Sequence, residues 1–227
     1  MNGADLKAAR SASNWTQSEA AHRLGVTQAY LSMMELGARP LTDDLVSKVL
    51  KVFPLPPTAL PLGNHAKYRQ DEEFFKKALG KLGYPGFAYL RGRTSLNPAE
   101  LLLLALDTED LDSRVTEALP WLPFRFPEMN WEWLVSEAKS RDRQNRLAFV
   151  TELAREVAQT HGESSRVETL SVQVAKLERS RLAGVDTLCK ASMSEAERRW
   201  LRSHRSKTAA HWNLLTDLAV GDLAHVC

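Results

Sequence analysis

The sequence predicts an all-α protein, and three observations carry that expectation. Helix-capping residues recur along the chain, as at Thr16, Asn97, Asn130 and Ser194. Apolar residues return every three or four positions, as in Leu147, Val150, Leu153, Ala154 and Val157. There is no alternating apolar–polar run and no Asn-Gly or Asp-Gly hairpin turn. The expected organisation is a small N-terminal helical domain over residues 1–63 and a larger helical domain over residues 64–227. The second is expected to be a bundle or a HEAT-like stack, although no period marks a true repeat.

The chain has 227 residues, 44% hydrophobic and 26% charged, within the range of ordinary globular domains. A net charge of +2 excludes a polycation, so any nucleic-acid surface must be a local patch. Two cysteines without a CxxC pair fit a reduced cytoplasm and no disulfide framework. The polar N-terminus has no signal-peptide pattern. The longest apolar run, Leu101 to Leu106, is too short to span a bilayer, so no membrane partner is expected.

Asp5 to Ser13 is expected to form the first helix, with Leu6 and Ala9 inward. Thr16 and Glu19 stand three apart, which makes a capping box for a second helix with Ala20, Ala21 and Leu24 inward. Gly25 supplies the turn, and Val26 plugs the corner. Thr27 caps a third helix with Leu31 and Met34 inward and Gln28, Ala29, Ser32 and Met33 outward; Gly37 ends it. Thr42-Asp43-Asp44 opens a fourth, with Leu45, Val46, Val49 and Leu50 as its buried face. Pro54, Pro56, Pro57 and Pro61 then crowd the chain, Thr58 to Leu62 allow a short fifth helix, and the boundary is placed near Gly63.

Two helices joined by a short glycine-containing turn form a helix-turn-helix. The stretch TQSEAAHRLGVTQAYLSMMELGAR, Thr16 to Arg39, resembles the Cro/repressor-type (XRE) DNA-binding domain of bacterial regulators and antitoxins. The resemblance covers Leu6 to Leu62. It implies a five-helix domain in which Arg10 pairs with Glu35 and Trp15 joins the core. It also implies that Gln17 binds a phosphate and that Thr27, Gln28, Ala29, Ser32, Met33 and Arg39 lie at the DNA. A glutamine side chain can bond an adenine edge twice, and alanine and methionine can touch a thymine methyl.

Past the boundary, Asp71 to Leu82 is expected to be a helix with Phe74, Phe75, Leu79 and Leu82 inward, broken by Gly83 to Gly86. Asn97-Pro98-Ala99-Glu100 opens an apolar helix. A further helix is expected from Glu109 to Leu119. Pro120, Pro123 and Pro127 are expected to keep Trp121 to Met129 extended. Asn130 caps a helix carrying Trp131, Trp133, Leu134 and Ala138, and a long helix through Leu147 and Val157 ends at Gly162. Ser194 and Glu197 form a second capping box. The last helices are expected over Glu195 to Arg205 and Thr208 to Leu218.

Val167, Leu170, Val174 and Leu177 have coiled-coil spacing over about two heptads, open either to a dimer seam or to one face of a bundle helix. Trp121, Trp131 and Trp133, beside Phe124 and Phe126, are either partner anchors or core filling. Between Lys176 and Lys207, nine basic residues stand against four acidic ones, a patch suited to a DNA backbone or an acidic partner.

No phosphate loop, zinc-binding HExxH or nucleophile elbow is present, and the six histidines have no ligand spacing. The expectation is therefore no enzyme, no cofactor and no metal. The expected partner is a double-stranded DNA operator, bound by a homodimer on paired half-sites. The resemblance in layout further implies an antitoxin. It would repress its own operon and neutralise a toxin, the nucleotidyltransferase type among the candidates. The alternative is a stand-alone regulator whose helical domain dimerises or senses a ligand.

Overall fold

The computed structural model describes residues 3–53, 55–63, 71–90 and 96–223. Pro54, two of the six histidines (His65 and His225) and one of the two cysteines (Cys227) lie outside them. Among the described residues the protein is mostly helical, with two two-residue strands, and no helix is long and apolar enough to cross a membrane. The chain divides into two compact units, Met1–Asn64 and His65–Cys227.

Unit 1 holds α1 (Gly3–Ala12), α2 (Gln17–Leu24), α3 (Gln28–Glu35) and α4 (Asp43–Val52). Leu6, Ala9, Ala20, Ala21, Leu24, Leu31, Met34, Leu45, Val49 and Phe53 form one core, with Trp15 and Val26 packed against it. The expected fifth helix is only a 3-10 turn, Pro57–Ala59. The prolines on both sides of it remove the amide donors that a longer helix needs. Leu50, expected inside, is 36% exposed. α4 turns only Leu45 and Val49 fully inward, because four residues advance a helix slightly more than one turn.

Unit 2 begins with α5 (Glu72–Leu82), α6 (Pro98–Asp107), α7 (Ser113–Ala118), α8 (Trp121–Arg125) and α9 (Trp131–Ser140). It continues with α10 (Gln144–Thr160), α11 (Ser164–Glu178), α12 (Glu195–His204) and α13 (Lys207–His211). Every residue of α6 from Pro98 to Leu106 is buried, so this helix lies at the centre of the unit. α10 packs along α11 and also touches α6, α8, α9 and α13.

Three expectations are corrected in this unit, and the seam, left open above, falls to one of its two readings. Trp121 to Arg125 are helical, because three prolines in a short span still allow one turn when Pro120 precedes the helix and Pro123 lies within its first turn. The helix expected from Glu109 shrinks to Ser113–Ala118. Asp112 caps it from Arg114 N and Val115 N, while Leu111 N donates to Cys189 O at 2.9 Å and Ala191 N to Glu109 O at 2.9 Å. The helix expected over Thr208 to Leu218 stops at His211. Asn213 takes φ 54°, and Leu214–Leu215 pair in parallel with Asp186–Thr187 as two-residue strands β2 and β1. The seam is internal: Leu170 and Leu177 are fully buried, and Val167 and Val174 are half-buried. α11 therefore turns Leu170 and Leu177 onto α10, the arrangement of a bundle-helix face.

The aromatic residues likewise fill the core. Trp121 is 5% exposed and meets Tyr84 and Phe126 edge-on, with ring centroids 5.5 and 5.7 Å apart. Trp131 is buried, with its indole N–H donating to Pro127 O at 2.7 Å, and Trp133 is half-buried. Trp121 and Trp131 are thus not exposed anchors for a partner.

One side chain fastens the second half of unit 2 to the first. Arg146 on α10 is 1% exposed. Its guanidinium donates to both carboxylate oxygens of Asp186, at 2.7 and 3.0 Å, and to Leu106 O at 2.9 Å. The neighbouring Asn145 donates to Leu182 O and Trp212 O, and accepts from Leu182 N. Burial works to raise the Asp186 carboxyl, but the hydrogen bond and charge of Arg146 outweigh it and hold the group below the usual carboxylate range.

Two outcomes are expected. Arg146→Met should lower the stability of the full chain by about 3–5 kcal/mol in chemical denaturation, because Asp186 and the carbonyls of Leu106 and Thr108 lose their donor. Leu170→Asp should produce unfolding in circular dichroism rather than a folded species of lower mass, because the site is core.

Candidate DNA-binding site

The site is built from the α2–turn–α3 segment of unit 1. Thr16 caps α2, and its backbone N–H donates back to Glu19 Oε2 at 2.8 Å, so the capping box is closed. Gly25 follows at φ 69°, a left-handed conformation a side chain would resist, and its N–H reaches Ala21 O and His22 O. Thr27 then caps α3 by accepting from Tyr30 N at 3.2 Å. The two caps and one glycine fix where α3 starts and which face it shows.

That face is polar at its start and apolar along its length. Gln28, Ala29 and Met33 are exposed, and Ser32 is half-buried. Thr27 is exposed at the N-terminus of the helix, and Arg39 is exposed in the loop beyond Gly37. Leu31 and Met34 are fully buried on the opposite face. Gly3, at the start of α1, lies so close to α3 that a Cβ there would sit 1.9 Å from Met34 O. A side chain at that position would push the end of α3 away.

The structure brings Arg10, Gln17, Gln28 and Glu35 into one hydrogen-bonded line. Arg10 Nε donates to Glu35 Oε1 at 2.6 Å, and Nη2 donates to Oε2 at 3.1 Å, a two-point clasp. Arg10 Nη1 also donates to Trp15 O at 2.9 Å, which ties the α1–α2 loop to the same group. Gln17 Nε2 donates to Glu35 Oε2 at 2.9 Å, and Gln28 Nε2 donates to Gln17 Oε1 at 2.8 Å. The side chains of Arg10 and Glu35 are only 14% and 2% exposed. Burial works to raise the Glu35 carboxyl, but the hydrogen bonds from Arg10 and Gln17 and the charge of Arg10 leave it below its ordinary value.

This line has a chemical consequence for reading DNA. A carboxamide has two N–H donors and one acceptor oxygen. Gln17 occupies one donor of Gln28 and leaves the other, with the oxygen, free for the two-point contact to an adenine edge. The side chain is thereby held in one orientation by Gln17. The sequence pointed to Arg10 with Glu35 and to Gln17 and Gln28 separately. It did not join the two pairs, because the bond between Gln17 and Glu35 depends on a 18-residue separation closing in space.

Two helices crossing at a capped glycine turn, the second with a polar start and an outward apolar face, are a helix-turn-helix unit. Residues 6–60 match the XRE-type helix-turn-helix family model, so unit 1 is the DNA-binding domain of a transcription regulator. No curated protein and no solved structure matches the chain.

Glu35→Ala should destabilise the N-terminal unit by roughly 3 kcal/mol, on the scale of breaking a buried pair, and shift its denaturation midpoint downward. The Glu35 carboxyl lies lower in the folded than in the unfolded chain. Its stabilisation is therefore present above about pH 4.3, the unfolded value, and is lost as pH falls through the lower folded value. The acid limb of a pH–stability curve should flatten in the Glu35→Ala protein.

Proposed function

We propose that the protein is a sequence-specific transcriptional repressor that binds double-stranded operator DNA as a homodimer. In this proposal α3 enters the major groove, with Gln28 bonding an adenine edge and Ala29 and Met33 lying against thymine methyls. Gln17 and the N-terminus of α2 take one phosphate, and Arg39 takes another. The observation that carries the proposal is the Gln28–Gln17–Glu35–Arg10 line, which orients a base-reading side chain from the core of the unit. The finer proposal is an antitoxin: the C-terminal unit neutralises a toxin encoded beside it, and the whole chain represses their shared operon. Its support is that unit 2 has its own large core, well beyond what dimerisation alone requires. The proposal gives the chain no catalytic step.

Operator selection from random DNA, followed by titration, tests the first part. Gln28→Ala should cost about 1–3 kcal/mol on the selected operator and little on unrelated DNA; equal losses on both would remove the base-reading role. Co-expression with the product of the adjacent gene tests the second part. The full chain should restore growth, and the Gln28→Ala chain should restore it equally while losing repression. Failure of both to protect, with repression intact, would leave the stand-alone regulator.

A further inference from the structure

α12 is held to unit 2 by very little. Leu201 is its only buried residue, packed with Met193 and Leu215. Two of its flanking arginines are spent on backbone: Arg198 donates to Met193 O and Ala191 O, and Arg205 to Leu214 O. What remains faces outward. Arg199 and Arg202 are exposed and make no ion pair among the described residues. Trp200 between them is 52% exposed, with its ring stacked on His204 at 4.5 Å. A half-exposed tryptophan flanked by unpaired arginines has the composition of an interface anchor.

Next to this face lies its electrostatic opposite. A cleft of about 960 Å³ is lined by Glu72, Asp110, Glu117, Asp217 and Asp222, with Lys190 as its one cation among the described residues. Glu117 and Asp217 make no ion pair among the described residues. A mixed recess of about 130 Å³ joins the two surfaces: Glu197, Trp200 and Leu201 line it from α12, and Leu188, Lys190 and Asp217 line it from the cleft. A basic face and an acidic cleft therefore meet at one tryptophan.

A twofold contact needs a patch complementary to itself under a half-turn rotation. A basic half joined to an acidic half meets that requirement, with the junction at the axis. We propose that this surface is the dimer interface of the chain: α12 of each copy lies on the acidic cleft of the other, Arg199 and Arg202 face Glu117 and Asp217 across the twofold, and Trp200 is buried at the centre. The proposal rests on the reading of the protein as a dimeric regulator, for which it supplies an interface.

Sedimentation equilibrium of the full-length protein tests it. The wild type should be a dimer whose association weakens at high salt. Arg199→Glu with Arg202→Glu should weaken association by at least about tenfold, and Glu117→Lys with Asp217→Lys should do the same. The four changes together should restore it, because the charges are exchanged across the axis. Trp200→Ser should also dissociate the dimer. All five positions lie outside the buried core, so unchanged thermal melts establish that each variant is folded. A monomeric wild type would overturn the interface, as would a dimer indifferent to both charge pairs or a fourfold variant weaker than either double. Selected-operator binding is measured separately. A monomer that binds operator removes this interface and leaves the DNA reading in place; a dimer that binds no DNA does the reverse.

Discussion

A buried guanidinium must find acceptors for its planar set of donors, and each unit of this protein is arranged around one that does. In unit 1, Arg10 clasps Glu35 and the carbonyl of Trp15, which draws α1, the α1–α2 loop and α3 to one point. In unit 2, Arg146 clasps Asp186 and the carbonyl of Leu106, which draws α10, α6 and the short β1 strand together. Removing such an acceptor leaves a charge with no water to solvate it, so the cost exceeds that of a surface pair several-fold. The two clasps differ in use. Arg10 acts outward, through Glu35 and Gln17, on a side chain at the DNA-facing surface. Arg146 only fastens segments within its unit.

What the sequence disclosed, and what it concealed, divides along the range of the interactions. Helix starts were legible because a cap acts within three residues: Thr16, Thr27, Asp71, Asn130 and Ser194 each accept from an N–H three positions on. The helix-turn-helix was legible for the same reason, since two caps and one glycine define it locally. Helix ends set by distant backbone were not. Glu109 to Leu111 leave the helical pattern because residues 189–191 offer them hydrogen bonds, and Leu214–Leu215 leave it because Asp186–Thr187 do. Neither partner lies within a sequence window.

Burial was half legible. Apolar spacing showed which face of a helix turns inward, but not against what. The stripe through Leu170 and Leu177 fits a dimer seam and a bundle face equally well on spacing, and only the presence of α10 decides. Arg146 itself went unmarked. A signal was present: it stands four residues before Val150 on the stripe that continues to Leu153 and Val157. A charged residue on an apolar stripe marks a place where the core will hold a polar network.

The Arg146 clasp also bears on the order in which the chain is made. Its carboxylate lies 40 residues downstream, and the carbonyls that Asn145 holds lie 37 and 67 residues downstream. A ribosome releasing the chain from the N-terminus presents α10 well before any of these acceptors exists. Until then α10 carries an unneutralised cation on the face that α6 must cover. Unit 1, whose longest clasp spans 25 residues, can close while that wait continues. The clasp of the DNA-binding unit thus needs no residue that is made after it.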